Sequence, residues 1–159
     1  MSNNPDPVLP VAAAEVAPRA RRSSYPAPFA AKMEGRTKRI LGDRFGLRAF
    51  GVNLTTLAPR AVSALHHRHS RQDEFVYVLT GRPTVVLEQH EVQLEPGMCV
   101  GFPAGGSAHH LHNRTLEAAV YLEVGDRAAD DRVEYPVDDL RAEMTPDGWV
   151  FTRKDGRPW

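Results

Sequence analysis

Apolar and polar residues alternate along most of the chain between residues 50 and 125, in short runs that end at glycine, proline or small polar residues. A period of two is typical of β-strands that bury one face. The pattern predicts strands over 50–57, 74–79, 84–89, 90–94, 98–102 and 116–125. Short strands at this spacing indicate a β-sandwich or a closed barrel, and the pattern alone does not distinguish the two.

The C-terminal part follows a weaker pattern. Residues 133–136 predict one more strand, and residues 137–144 predict one or two helical turns. Both tryptophans, Trp149 and Trp159, lie in the tail that follows, so this tail must bury its aromatic rings against the outside of the barrel or against a second subunit. No internal repeat is visible, which favours one barrel rather than two.

The N-terminal part differs from both. Residues 1–28 contain six prolines and an alanine-rich patch, a composition that buries little apolar surface. We interpret this segment as a flexible or extended arm whose part before Tyr25 is dispensable for folding. The alternative is an arm that lies across a partner subunit. The predicted organisation is an arm over 1–28 followed by one domain over 29–159.

Composition narrows the classes of function. The 159 residues include 20 basic and 20 acidic side chains, so the net charge provides no overall attraction to nucleic acid or to a membrane. No apolar run is long enough for a membrane helix and no secretory signal is visible, so a cytoplasmic protein is expected. The only cysteine, Cys99, excludes an internal disulfide and is interpreted as a small buried hydrophobic residue.

The charges are unevenly distributed along the chain. Residues 19–48 hold nine basic and two acidic side chains, whereas residues 126–147 hold eight acidic and three basic ones. These segments either form solvated faces or pair with each other within or between subunits.

All seven histidines lie between His66 and His112. On an extended strand His67 and His69 point to the same face, close enough to share a metal ion. A polar bend over 70–73 separates them from the next predicted strand. We expect this bend to place Glu74, the first residue of that strand, beside the two histidines. A second cluster over 109–112 follows a turn rich in glycine and proline, and two such clusters make coincidence the minor explanation.

The segment from His67 to Gly81 resembles the first motif of the cupins, a family of small β-barrels: His-x-His, four residues, Glu, six residues, Gly. Ala61 stands where that motif opens with glycine. The second cupin motif is matched by Gly97, Pro103, Gly105, His109 and Asn113, with one extra residue before the histidine. The resemblance covers residues 47–125.

The resemblance implies an all-β fold, a single cupin double-stranded β-helix or jelly-roll barrel. It also implies a metal site whose ligands are His67, His69, Glu74 and His109. The spacing to Asn113 favours His109 as the fourth ligand, with His110 as the alternative. Three imidazoles and one carboxylate suit a divalent transition metal (iron, manganese, nickel, zinc, cobalt or copper) rather than magnesium or calcium.

The fold does not determine the reaction. An ion held by four protein groups keeps open positions, which favours a metal-dependent isomerase, lyase or dioxygenase acting on a sugar, a sugar phosphate or an oxygenated carboxylic acid. The alternatives are a non-catalytic cupin that binds or senses a small molecule and a barrel that serves in assembly only. The residues before 47 are too short and proline-rich for a fused DNA-binding domain, and this weighs against a regulator.

Two further expectations complete the prediction. A homodimer is expected because a single barrel leaves sheet edges and an aromatic tail that need cover. No general base can be named, since Asn53, Thr55, Tyr121 and Glu123 face either the cavity or the solvent.

Overall fold

The computed structural model describes residues 8–20 and 23–159. Short 3-10 helices span Ala13–Glu15 and Phe29–Met33, and a one-turn α-helix, α1, spans Leu41–Arg44. The strands are β1 (Arg36–Ile40), β2 (Phe50–Leu57), β3 (Arg68–His69), β4 (Glu74–Thr80), β5 (Thr84–Leu87), β6 (Glu91–Gln93), β7 (Cys99–Phe102), β8 (His109–His112), β9 (Ala119–Asp126), β10 (Arg132–Tyr135), β11 (Leu140–Thr145) and β12 (Gly148–Thr152). No helix in the described ranges is long and apolar enough to cross a membrane.

The strands form two antiparallel layers. The larger sheet has the order β1-β2-β9-β4-β7. The facing layer consists of the sheets β6-β5-β8 and β12-β11-β10-β3, which a bridge between His67 and His109 connects. The all-β jelly-roll barrel expected from the sequence is confirmed, and its interior lies between these layers.

A core cluster of buried side chains fills part of that interior, and β2 shows how the larger sheet contributes to it. Thr55 and Leu57 are fully buried, whereas Phe50, at the start of the same strand, is 42% exposed. The face that Phe50 shares with Val52 and Leu54 is therefore the outer face of the barrel. The inner face of β2 is partly polar, and this feature is important for the site described below.

The C-terminal segment corrects one prediction. Residues 137–144 do not form helical turns, because Leu140–Thr145 is strand β11, paired with β10 and β12. Leu140 and Ala142 are 0% and 1% exposed, while Arg141 between them is exposed. Burial with a period of two selects the strand, since a helical turn would place Leu140 and Ala142 on different faces.

The aromatic tail is covered by its own chain. The ring of Trp159 packs edge-on against Phe29, with 5.0 Å between ring centroids, and its indole N–H donates to the carbonyl of Asp139 at 2.8 Å. Of the two alternatives posed by the sequence, the structure shows burial against the barrel.

The described part of the N-terminal segment also contacts the barrel. The backbone N–H of Arg19 donates to the carbonyl of Lys38 at 2.8 Å, and Tyr25 packs edge-on against two aromatic rings. Residues 1–7 and 21–22 of the predicted arm lie outside the described residues. The boundary at residue 28 stays a prediction.

Cys99 is exposed, so the expectation of a small buried hydrophobic residue is wrong. On β7 the burial alternates, with Phe102 buried, Val100 half-buried and Cys99 and Gly101 turned outward. A period of two assigned from Phe102 would have placed the thiol on the outer face.

The basic and acidic segments meet in the structure. Lys32 of the basic segment forms an ion pair with Asp138 of the acidic one at 2.8 Å. Arg127 and Asp43 form a second ion pair with the charges reversed. Pairing within the subunit therefore accounts for part of the charge pattern.

Candidate metal centre

His67 and His69 lie on an extended segment at the edge of the smaller layer. His69 in β3 pairs with Val133 of β10, and His67 forms a bridge with His109 of β8. The extended backbone turns both imidazoles into the barrel, with 5.1 Å between ring centroids. His67 and His69 therefore point to the same side of the segment, as their spacing in the sequence predicts.

Glu74, the first residue of β4, faces these histidines from the larger sheet. Its Oε2 atom lies 2.9 Å from Nε2 of His109, 3.4 Å from Nε2 of His67 and 3.6 Å from Nε2 of His69. The structure therefore brings together all four side chains that the cupin resemblance implies as ligands. The ligand atoms of His67, His69 and Glu74 all lie within 4.8 Å of one another.

The second nitrogen of each imidazole contacts an acceptor outside the cluster. These contacts are Nδ1 of His67 with the carbonyl of Leu65 at 2.8 Å, Nδ1 of His69 with the carboxylate of Asp131 at 2.5 Å, and Nδ1 of His109 with the carbonyl of Ser107 at 3.3 Å. Such contacts place the hydrogen of the neutral imidazole on Nδ1, so that Nε2 faces Glu74 with a lone pair that takes up either a proton or a metal ion.

Three inward lone pairs and a carboxylate repel one another unless a cation lies between them. Two ligand atoms at about 2.1 Å from an ion, in a right-angled arrangement, are about 3.0 Å apart. The distances from Glu74 to the three imidazoles lie near that value. The donor set and its spacing therefore fit a divalent transition metal.

The electrostatics of the cluster favour a bound cation. Burial opposes ionisation of Glu74, but its hydrogen bonds with His109 and His67 outweigh this effect and hold its pKa well below the usual value. For His67 burial again opposes the charged form, yet the hydrogen bond and charge of Glu74 leave its pKa raised. A carboxylate that is ionised at neutral pH supplies the negative charge for a metal ion.

Asp131 is a candidate positioning residue that the sequence alone does not indicate. It is fully buried and also accepts hydrogen bonds from the backbone N–H of Arg71 at 2.8 Å and the hydroxyl of Ser70 at 3.2 Å. Carboxylates that orient a ligating histidine fix both its tautomer and its ring position. Asp131 lies in the acidic segment, and only the pairing of β10 with β3 reveals that it reaches His69.

The structure separates His109 from His110. His109 is buried and faces Glu74, whereas Nδ1 of His110 lies 3.1 Å from Nδ1 of His66, outside the cluster. Burial is the main reason that the pKa of His110 is lowered to about 4, and the charge of His66 adds to it. His110 is thus turned away from the candidate ligands.

The two positions at which the chain differs from the cupin motifs lie in turns. The extra residue before His109 falls in the loop that closes with the N–H of Gly106 donating to the carbonyl of Pro103 at 2.9 Å. In the turn at Ala61, the positive φ belongs to Arg60, at 68°, so the position itself does not require glycine. Gly81 does, because its φ is 75° and a Cβ there would lie 2.5 Å from the carbonyl of Ala118.

The candidate ligands line a cavity of about 200 Å³. Its other charged side chains in the described part of the chain are Arg19, Arg36, Lys38 and Glu123. The hydroxyl of Tyr121 also lies there, fully buried and without a hydrogen-bond partner among the described residues. The sequence left Tyr121 and Glu123 undecided between cavity and solvent and did not indicate Lys38 at all.

Comparison with known proteins gives a consistent result. Residues 53–125 match the family described as the cupin domain. No curated protein sequence matches the chain significantly.

Among solved structures, the chain is similar to a sugar phosphate isomerase from a cupin superfamily from Silicibacter pomeroyi DSS-3. Identity is 40% and the TM-score is 0.89, over 95% of this chain and 96% of that one. A putative sugar phosphate isomerase from Acidithiobacillus ferrooxidans shows 30% identity and a TM-score of 0.71, over 86% and 96% of the two chains. A predicted oxalate decarboxylase from Thermotoga maritima, at 20% identity and a TM-score of 0.59 over 76% and 100%, shares the fold.

Proposed function

This chain belongs to the cupin superfamily, and we propose that it is a metal-dependent enzyme whose metal is held by His67, His69, Glu74 and His109. The observation that carries the proposal is the arrangement of nitrogens: each Nδ1 has an acceptor outside the cluster while each Nε2 faces Glu74. This is how protein side chains prepare imidazoles for a metal. When bound, the ion supplies Lewis acidity and positions for substrate oxygens.

The charge of the cavity supports an anionic substrate. Three cationic side chains line the cavity, those of Arg19, Arg36 and Lys38. Two carboxylates, those of Glu74 and Glu123, oppose them. A divalent ion would add two positive charges. A phosphate group on a small polar substrate would balance this excess, because cationic side chains stabilise phosphate through charge-assisted hydrogen bonds.

We therefore propose that the substrate is a sugar phosphate and that the reaction is its isomerisation. The similarity to two structures described as a sugar phosphate isomerase and a putative one supports this choice over the other cupin chemistries. Isomerisation also needs no second substrate, which suits a cavity of about 200 Å³.

The test uses protein stripped with a chelator and reloaded separately with iron, manganese, nickel, cobalt, copper or zinc. Each form is incubated with aldose and ketose phosphates, and with the matching unphosphorylated sugars, and the products are followed by NMR. We expect interconversion of a phosphorylated pair that disappears on chelation and returns with one or two of the metals. Binding detected by calorimetry without turnover in any metal form would contradict the enzyme and favour a sensing cupin.

We also propose that the protein is a homodimer formed through the outer face of the larger sheet. Phe75, Tyr77 and Leu79 alternate along β4 and are each about 40% exposed. Leu122 pairs with Tyr77 and Val124 with Phe75, so the apolar strip extends onto β9. Exposed apolar surface of this kind marks an interface, and a twofold axis would place two copies of it together. Sedimentation at micromolar concentration should give the mass of two chains, and the mass of one chain would contradict it.

A further inference from the structure

A second polar cluster lies in the cavity beside the candidate metal centre. One carboxylate oxygen of Glu123 accepts hydrogen bonds from the ammonium group of Lys38 and, at 3.0 Å, from the amide of Asn53. The other oxygen accepts from the hydroxyl of Thr55 at 3.2 Å. The donors come from β1 and β2, so three neighbouring strands hold this carboxylate in one orientation.

The sheet register fixes where Glu123 lies relative to the candidate ligands. Glu123 pairs with Val76, two residues along β4 from Glu74, so both carboxylates are on the inner face. The spacing of paired strands and the rise of two residues separate the two Cα atoms by about 8 Å. Both side chains line the same cavity. A molecule of three to six carbons bound at the metal would therefore reach Glu123.

Fold stability does not account for this cluster. Lys38 and Glu123 are each only 21% exposed, and an ion pair withdrawn from water contributes little or no more stability than apolar side chains of similar volume. The apolar core of the barrel lies on the same inner face, with Val78 fully buried further along β4. A polar group at this depth that faces a cavity is better explained by a role toward a bound molecule.

From this geometry we infer that Glu123 is the proton-transfer residue of the site, with Lys38 as a positioning residue; the inference rests on the proposed isomerisation. In the aldose-to-ketose direction Glu123 removes the hydrogen of C2 as a proton. The C–H electron pair forms the C1–C2 double bond while the π pair of the C1 carbonyl moves to its oxygen, which gives an enediolate. Glu123 then returns the proton to C1, while the proton of the C2 hydroxyl passes to the oxygen on C1. No electron or atom is gained or lost overall.

The hydroxyl of Tyr121 completes the arrangement. Burial, followed by the negative charge of Glu123, raises its pKa well above the usual value, so the group remains a hydrogen-bond donor at neutral pH. The hydroxyl approaches Thr55 but makes no hydrogen bond of good geometry among the described residues, and it lies on the same wall of the cavity. A substrate oxygen is the acceptor that it lacks, and this contact would orient the carbon chain toward Glu123.

The experiment compares the metal-loaded wild type with Glu123→Gln, which keeps the size of the side chain and removes the base. Glu143→Gln is the matched control, because Glu143 is an exposed glutamate on β11 outside the cavity. We expect Glu123→Gln to keep its metal content and its calorimetric affinity for the sugar phosphate within about threefold. Its kcat should fall by about 100-fold or more, as general-base removal does.

Reaction in deuterium oxide provides a readout that a structural role would not produce. A proton carried by Glu123 exchanges with solvent, so the wild type and Glu143→Gln should place deuterium on the substrate carbon, and Glu123→Gln should not. For Lys38→Met, kcat should fall more than the calorimetric affinity for the sugar phosphate, because the carboxylate of Glu123 loses a donor that orients it.

The outcomes separate the two claims. A wild type that isomerises while Glu123→Gln keeps most of its kcat, or a wild type that isomerises without deuterium incorporation, would overturn the role of Glu123 and leave the proposed function standing. A wild type that turns over none of the sugar phosphates with any metal would overturn both.

Discussion

Replacement of His69 by alanine is expected to leave the purified protein without metal and to lower its melting temperature below that of the metal-loaded wild type. The substitution removes one of four candidate ligands and opens the cluster toward Trp149, whose ring lies 6.2 Å from that of His69. Binding to the native state alone stabilises it by mass action, by about 3 kcal/mol when free metal exceeds the Kd 100-fold. Elemental analysis and thermal unfolding measure the two effects.

His69→Ala should also lower the stability of the protein when no metal is present. His69 donates to the carboxylate of Asp131, which is fully buried, so the variant leaves that charge without this partner. A buried carboxylate that loses a charge-assisted hydrogen bond costs about 1–3 kcal/mol. Comparison of His69→Ala with the chelated wild type isolates this contribution from that of the metal.

His110→Ala is the matched control for this experiment. It removes an imidazole one residue from His109, but that imidazole contacts His66 rather than the cluster. The control should bind metal with the stoichiometry of the wild type. Full metal occupancy and an unchanged melting temperature in His69→Ala would show that the cluster is not the metal site. Loss of metal in His110→Ala with retention in His109→Ala would show that the inserted residue has shifted the register of the fourth ligand to His110.

The parts of the site that could be predicted are those that local spacing encodes. His67 and His69 are two residues apart on one strand, and Glu74 begins the next strand after a short bend. This local spacing alone places the three side chains close together. The barrel fold followed from the two motifs and from the period-two pattern. The period alone left open whether Asn53 and Glu123 faced inward, because the inner face of a barrel that holds a polar cavity is itself partly polar.

The missed parts depend on pairing between distant strands. Lys38 meets Glu123 only because β1 and β9 both pair with β2, a register that no short motif specifies. Asp131 reaches His69 through the pairing of β10 with β3 in the same way. The helical turns expected over 137–144 are wrong for a different reason, since Leu, Arg, Ala, Glu and Met all have high helix propensity, and pairing with β10 and β12 overrides it.

Asn113 connects the end of β8 to two other segments of the barrel. It is fully buried, and its amide donates to the carbonyls of Leu57 at 2.9 Å, Ala58 at 3.2 Å and Glu117 at 2.7 Å. Its side-chain oxygen accepts from the backbone N–H of Thr115 at 3.1 Å and from the hydroxyl of that residue at 2.8 Å. One side chain thus satisfies polar groups at the end of β2 and in the turn that leads to β9.

Asn113→Ala is expected to lower the free energy of unfolding by about 3 kcal/mol, because buried carbonyls that lose their donor cost roughly 1–3 kcal/mol each. Asn113→Asp, which keeps the shape but offers an acceptor to three carbonyls, should be at least as destabilised. Thr115→Ala removes a hydroxyl that contacts the side-chain oxygen of Asn113 and the carbonyl of Glu117, but it leaves the amide of Asn113 in place, so the loss of stability should stay below about 1 kcal/mol. Urea unfolding of chelated protein measures all three without a contribution from metal. A change under about 0.5 kcal/mol for Asn113→Ala would mean that this network does not hold β8, and with it His109, in position.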